Sequence, residues 1–299
     1  MKRILVIGSS GQLAAALASQ STSGDAPYEL ETVARPDIDL ARPETLPKTL
    51  SRHRFDLLIN AAAYTAVDDA ENDVETAWKV NATAPGVLAG ITASLGVPII
   101  HVSTDYVFQT GGPHDEMSLV QPQSVYGQSK LAGEKAVAET NSRHLILRTS
   151  WVFGPIGRNF LATMLRLAGE RESIKVVDDQ LGNPTSTLAL APAILSAALS
   201  LDNDDGRYGT YHLAGREYAS WAQFAIAIMA ASKQRGGPSC NVVPIASHEY
   251  PVKAKRPADS RLKSQRFFDA FGIEIPGYTE TLGPVLDAIS RNELRGGRA

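Results

Sequence analysis

Lys2-Arg-Ile-Leu-Val-Ile7-Gly8-Ser-Ser-Gly11-Gln-Leu-Ala14 constrains the fold of this chain more than any other stretch. Ile4 to Ile7 is a continuous apolar run, the pattern of a strand buried on both faces. Glycines follow at once, and then a segment from Gln12 to Ser19 that reads as a helix. A strand, a glycine turn and a helix in this order open a parallel α/β unit. Its backbone can approach a pyrophosphate and seat it on the helix N-terminus. The spacing is G-x-x-G-x-x-A, with Ala14 small enough for close helix–strand packing. Such a loop alone reads equally well as a tight turn; directly behind an N-terminal buried strand it points to a dinucleotide. Gly8, Ser10, Gly11, Gln12 and Leu13 are the expected contacts. The apolar run ends at Gly8, too soon for a secretory signal.

The same alternation continues. Glu29 to Ala34, Phe55 to Asn60, Val97 to Ser103 and His144 to Thr149 read as strands, and Thr76 to Leu95 and Val125 to Glu139 as helices. Strand–helix–strand order predicts a Rossmann-type doubly wound parallel sheet in an α/β protein. Beyond residue 150, loop signals such as Gly154-Pro155, Asn183-Pro184 and Gly236-Gly237-Pro238 become denser. They suggest a smaller C-terminal substrate domain. The expected division is residues 1–155 with about 175–215 in the dinucleotide domain, and about 156–174 with 216–299 in the substrate domain. A net charge of -3 without a long basic run argues against nucleic acid as partner. No apolar run approaches the ~18 residues of a membrane span. A single cysteine, Cys240, allows no internal disulfide and fits a reducing compartment, so a cytoplasmic location is expected.

The second strand ends in Val33-Ala34-Arg35-Pro36, with no carboxylate where a ribose 2′-hydroxyl would be bound. Arg35 there favours NADPH over NADH; the plainer reading is a solvated strand-end charge. Asp39 and Leu40 follow, with Asp39 near the adenine or capping a turn. Asn60-Ala61-Ala62-Ala63-Tyr64 places small residues at a strand's carboxyl end, a flat shelf for a cofactor or a tightly packed helix. Asn81, in the next helix, is placed to bond backbone or water near that shelf.

Ser103-Thr104-Asp105-Tyr106 closes the next strand at the edge where such folds bind ligands. Thr104 is the candidate to hydrogen-bond a substrate oxygen, flanked by Ser103 and Tyr106. Tyr126 and Lys130 stand four residues apart, which on a helix puts phenol and ammonium on one face. A cation nearby favours the phenolate, so Lys130 is expected to lower the pKa of Tyr126. Tyr126 is the candidate proton donor, and Lys130 would also hold the nicotinamide ribose. Tyr-x-x-x-Lys alone is common by chance. The glycine loop, the alanine shelf, Thr104 and the Tyr126/Lys130 pair in this order form a far more specific signal.

Several stretches together resemble the extended short-chain dehydrogenase/reductases, and among them the family of dTDP-4-dehydrorhamnose reductases. These are Asn60 to Glu71, His101-Val-Ser-Thr-Asp-Tyr-Val-Phe108, Tyr126-Gly-Gln-Ser-Lys-Leu-Ala-Gly-Glu134, Arg148-Thr-Ser-Trp-Val-Phe-Gly154 and Asp179-Gln-Leu-Gly-Asn-Pro-Thr185. The resemblance implies NADPH-dependent reduction of a nucleotide-sugar ketone, with Thr104, Tyr126 and Lys130 catalytic. It implies cofactor contacts at Gly11 to Leu13, Asp39, Leu40 and Ala62 to Tyr64. It also implies that Trp151 packs on the sugar nucleotide, a role suited to a flat apolar face with one N–H donor. Asn159 is a further substrate candidate. Arg256 either meets the diphosphate or is a surface charge before Pro257. The strand end reads Thr104-Asp105-Tyr106 where dehydratases of the superfamily carry Thr-Asp-Glu, which argues against elimination. Family members are described with Mg²⁺ held by glutamates at a dimer contact. Here Gln12 to Gln20 and Thr185 to Leu190 carry no carboxylate, so that metal site is not expected. A homodimer, if formed, would need another basis.

Overall fold

β1 (Lys2–Ile7) lies inside a six-stranded parallel sheet in the computed structural model, which describes residues 1–20, 26–201 and 206–296. β2 (Tyr28–Val33) pairs on one side of β1 and β3 (Leu57–Asn60) on the other. β4 (Ile99–Thr104), β5 (His144–Thr149) and the strand Gly209–His212 extend the sheet beyond β3. The chain leaves β1 toward one edge and returns to its other side. A crevice therefore opens outside the carboxyl ends of β1 and β3.

Ile4 to Ile7 of β1 and Leu57 to Ile59 of β3 are apolar because both faces are covered, whereas the edge strand β2 carries exposed Glu29 and Glu31. Val6, Leu57, Ile59 and Leu147 point into one core, with Leu17 of the helix Gln12–Ser19 and Ile194 of the helix Thr187–Ser200. Leu5, Ile7, Leu58 and Ile146 point into the other, with Leu88 and Val137. A separate core unites Phe153 of the short strand Val152–Phe153 with Leu161, Phe224 and Val285 from the helices Phe160–Glu170, Trp221–Lys233 and Tyr278–Gly296. Beside it Ser173–Val177 pairs in parallel with Asn241–Ile245. Residues 265–275 do not stay with this smaller unit. The helix Gln265–Phe271 sets Phe267 against Tyr211, and both Phe267 and Ile275 are buried in the core of the main sheet.

One expected element is divided. The stretch read as a single helix, Thr76 to Leu95, is a helix at Val74–Trp78, a π-helical turn at Lys79–Thr83 and a helix at Ala84–Leu95. Pro85 has no N–H to give the carbonyl of Asn81, so the regular ladder fails there. That carbonyl lies against Gly133, where an added Cβ would be only 2.0 Å away. The widened turn and the glycine together let the two helices meet. No helix among the described residues is long and apolar enough to cross a membrane.

Candidate active site

A cleft of about 900 Å³ runs from the glycine loop to the carboxyl ends of β4 and β5. Every candidate catalytic, cofactor-binding and substrate-binding residue lines it except Asn159 and Arg256; Asn60 and Asn81 do not line it. At one end, Gly8 adopts φ 117°, a conformation open to glycine, and donates its N–H to the Val33 carbonyl at 2.8 Å. Gly11 precedes the helix Gln12–Ser19 with no side-chain cap, and a Cβ added there would meet nothing within 4 Å. The first N–H groups of that helix thus face open space at the positive end of its dipole, a fit for a pyrophosphate. Ala61, Ala62 and Ala63 continue the wall. Asn81 holds the shelf in place: its Oδ1 accepts from the Tyr64 N–H at 2.8 Å, and its Nδ2 donates to the Tyr64 carbonyl and Ser129.

Beside this wall Arg35, Asp39 and Arg42 border a second recess of about 710 Å³. The Asp39 carboxylate accepts from the Ala41 N–H at 3.0 Å, so it caps a turn.

At the other end, Ser124 caps the helix Val125–Thr140 by accepting from the Gly127 N–H, which fixes the turn that presents Tyr126. Gly127 is required there, because a Cβ would lie 2.3 Å from the Tyr106 carbonyl. Tyr126 is buried, edge-on to Tyr106 at 5.5 Å. Burial pushes its phenol up to about 12, while a hydrogen bond with Thr104 pulls the other way. Lys130 is also buried, and burial lowers its ammonium to about 8 against the opposing pull of Glu134. Its Nζ donates to the Val102 carbonyl at 2.7 Å and lies 3.3 Å from His101 Nε2. The expected lowering of the Tyr126 pKa by Lys130 is therefore not met in this arrangement. The ammonium is committed to strand β4, and burial dominates the phenol.

Burial holds His101 far below its ordinary pKa, with the charge of Lys130 acting in the same direction. Its other ring nitrogen lies 3.1 Å from the Asn60 amide. A neutral imidazole thus links the alanine shelf to Lys130. Ser103 donates its hydroxyl to Glu134 at 2.5 Å, and Glu134 forms a buried ion pair with Arg148 at 2.7 Å. Thr149, beside Thr104 in register, has a buried hydroxyl with no partner among the described residues.

Trp151 is the one non-glycine residue among those described with positive φ, 44°. Its ring stacks on Trp221 with centroids 3.5 Å apart, and a Cβ on Gly182 would fall 2.4 Å from it. Both indoles line the cleft. Asn159 instead caps the helix Phe160–Glu170, accepting from the Ala162 N–H at 2.9 Å and donating to Gln12 at 3.0 Å. Arg256 pairs with Asp68 at 2.9 Å, and its buried Nε has no partner. Among the described residues no group of three or more His, Cys, Asp or Glu side chains could hold a metal ion.

Sequence reasoning missed Trp221, His101, Glu134 and Asp105. One local signal pointed to Trp221: Ser220 and Gln223 form a capping box that sets Trp221 at the first helical position. A dinucleotide crevice that ends on a buried tyrosine, lysine and threonine is the apparatus of a nicotinamide-linked oxidoreductase. Residues 1–291 match the RmlD substrate binding domain, and the chain belongs to that family. It is 42% identical over 284 residues to a dTDP-4-dehydrorhamnose reductase of Sinorhizobium fredii, covering 93% of this chain and 95% of that one. A dTDP-4-dehydrorhamnose reductase of Clostridium acetobutylicum superposes with a TM-score of 0.88 at 34% identity, over 96% of this chain and 99% of the other. The Bacillus anthracis enzyme, solved in complex with NADP, gives 0.87 at 31% identity over the same shares.

Proposed function

We propose that this protein reduces the C4 ketone of dTDP-4-dehydro-L-rhamnose to dTDP-L-rhamnose with NADPH. The observation that carries the reading is the meeting of Thr104, Tyr126 and Lys130 at the end of a dinucleotide cleft, in a chain 42% identical to a reductase of that name. A bound nicotinamide supplies the hydride. As negative charge develops on the ketone oxygen, Tyr126 gives it a proton and Thr104 hydrogen-bonds the same atom. Lys130, held by the Val102 carbonyl, places a cation one helical turn from the phenol. The Trp151–Trp221 stack offers an apolar face for the sugar. NADPH absorbance is expected to fall when the ketosugar nucleotide is added and to stay constant without it. Tight NADPH binding with no loss of absorbance would identify a binding protein instead.

Arg35 and Arg42 border one recess, and neither guanidinium has a protein partner among the described residues. Two unpaired arginines suit a 2′-phosphate, which favours NADPH over NADH. Replacing both by alanine is expected to raise KM for NADPH by about 10- to 100-fold while KM for NADH changes less than about threefold. Equal losses for both cofactors would sink this assignment.

A further inference from the structure

Asp105 is buried between three hydroxyls that come from distant parts of the chain. Thr104, at the end of β4, donates to its Oδ1 at 3.2 Å. Ser150, just past β5, donates to its Oδ2 at 2.9 Å, and Ser260 donates to the same oxygen. Ser260 belongs to a strap threaded between two other segments. Its N–H donates to the Leu181 carbonyl, and the neighbouring Arg261 carbonyl accepts from the His114 N–H.

A threonine hydroxyl has one proton and two lone pairs. Thr104 gives that proton to Asp105 and accepts from the Tyr106 N–H at 3.1 Å. With the carboxylate ionised, Thr104 therefore has no proton left for a substrate oxygen. We propose that Asp105 is a positioning residue that sets the direction of the Thr104 hydroxyl, and so decides whether Thr104 donates at the reacting oxygen. This rests on the reductase reading above.

The two carboxylate oxygens are not equivalent. Oδ2 already accepts two hydroxyls, whereas Oδ1 carries only the longer bond from Thr104. A proton taken up by the carboxylate therefore goes to Oδ1, which then donates to Thr104. The Thr104 proton turns toward the cleft, where the ketone oxygen accepts it. Burial raises the Asp105 carboxyl to about 6, against the three hydroxyl donors that lower it. The titratable groups around it are Tyr126 on its helix and Tyr106 on the following turn, with Arg256 and Asp68 beyond Tyr106. Lys130 and His101 are bonded to each other and, respectively, to the Val102 carbonyl and the Asn60 amide. Burial and its own hydroxyl donors are the largest influences on Asp105.

The test is the pH profile of ketosugar-dependent NADPH oxidation for wild type, Asp105→Asn and Ser260→Ala, each as the full chain. Wild-type kcat is expected to rise about tenfold as pH falls through the Asp105 titration, the gain of one oxyanion donor partly offset by other steps. In Asp105→Asn the amide oxygen takes the position that accepts two hydroxyls, so the NH₂ group donates to Thr104. That variant should keep the acid-form rate with no step. Ser260→Ala removes a donor that favours the carboxylate, so its step should move to higher pH. A step retained in Asp105→Asn, or an unmoved step in Ser260→Ala, overturns the proposal while wild-type turnover leaves the reductase reading standing. A wild type that never oxidises NADPH with the ketosugar defeats that reading and takes this proposal with it.

Discussion

Tyr126→Phe is expected to lower kcat for ketosugar reduction by about 10²- to 10⁴-fold, the usual worth of a positioned proton donor. The ring of Tyr126 packs edge-on to Tyr106, and phenylalanine keeps that packing. Stability should therefore change by less than about 1.5 kcal/mol, as for a near-isosteric core exchange. Affinity for NADPH should stay within about threefold, because the phenol lies at the far end of the cleft from the glycine loop. A phenol pushed up to about 12 is fully protonated at neutral pH, the form that a general acid needs. Steady-state kinetics with a separate fluorescence titration of NADPH distinguishes lost chemistry from lost binding. If Tyr126→Phe turned over at a near wild-type rate, the proton would have to come from Thr104 or water.

The parts of this protein that were legible in its sequence are those fixed by local pattern. Ile4 to Ile7 is apolar at every position because its strand is covered on both faces, and that run announces itself. Gly8 marks the cradle because a turn at φ 117° excludes most side chains, and Gly11 leaves the start of the following helix open. Tyr126 and Lys130 were readable as a pair because helical spacing alone puts them on one face. Asn159, a candidate for the substrate, also stands before an apolar helix, which is an N-cap signal, and its side chain caps that helix.

What the sequence concealed depends on contacts between distant segments. The π turn at Lys79–Thr83 has no periodic signature; it follows from Pro85 and from the carbonyl that must pass Gly133. Trp221 and Trp151 are far apart in the sequence and meet only in the folded chain. The electrostatic expectation for Tyr126 failed for the same reason. Spacing placed a lysine near the phenol, but could not say that the Val102 carbonyl and His101 would claim its ammonium. Nor could it say that both groups would be buried, which moves each pKa toward its neutral form.

Glu134→Ala is expected to destabilise the protein by about 3–5 kcal/mol, because it leaves the Arg148 guanidinium buried without its partner. The two side chains are 5% and 7% exposed, so water cannot replace the lost carboxylate. Arg148 would retain only a contact with His212 at 3.5 Å and its position over the Phe108 ring. His212 cannot adapt by ionising favourably, since burial and Arg148 hold its pKa at about 3. Urea unfolding should show the loss directly. Removing both charges, as in Glu134→Leu with Arg148→Met, should cost less than Glu134→Ala alone, because no uncompensated ion remains. The pair also acts on the active site. Glu134 receives the Ser103 hydroxyl, one residue before Thr104, and its charge keeps the Lys130 pKa from falling further. Without it Lys130 should lose its proton below about 8, and the alkaline limb of kcat should move to lower pH. A variant of unchanged stability with an unmoved alkaline limb would show that Glu134 neither neutralises Arg148 nor reaches Lys130.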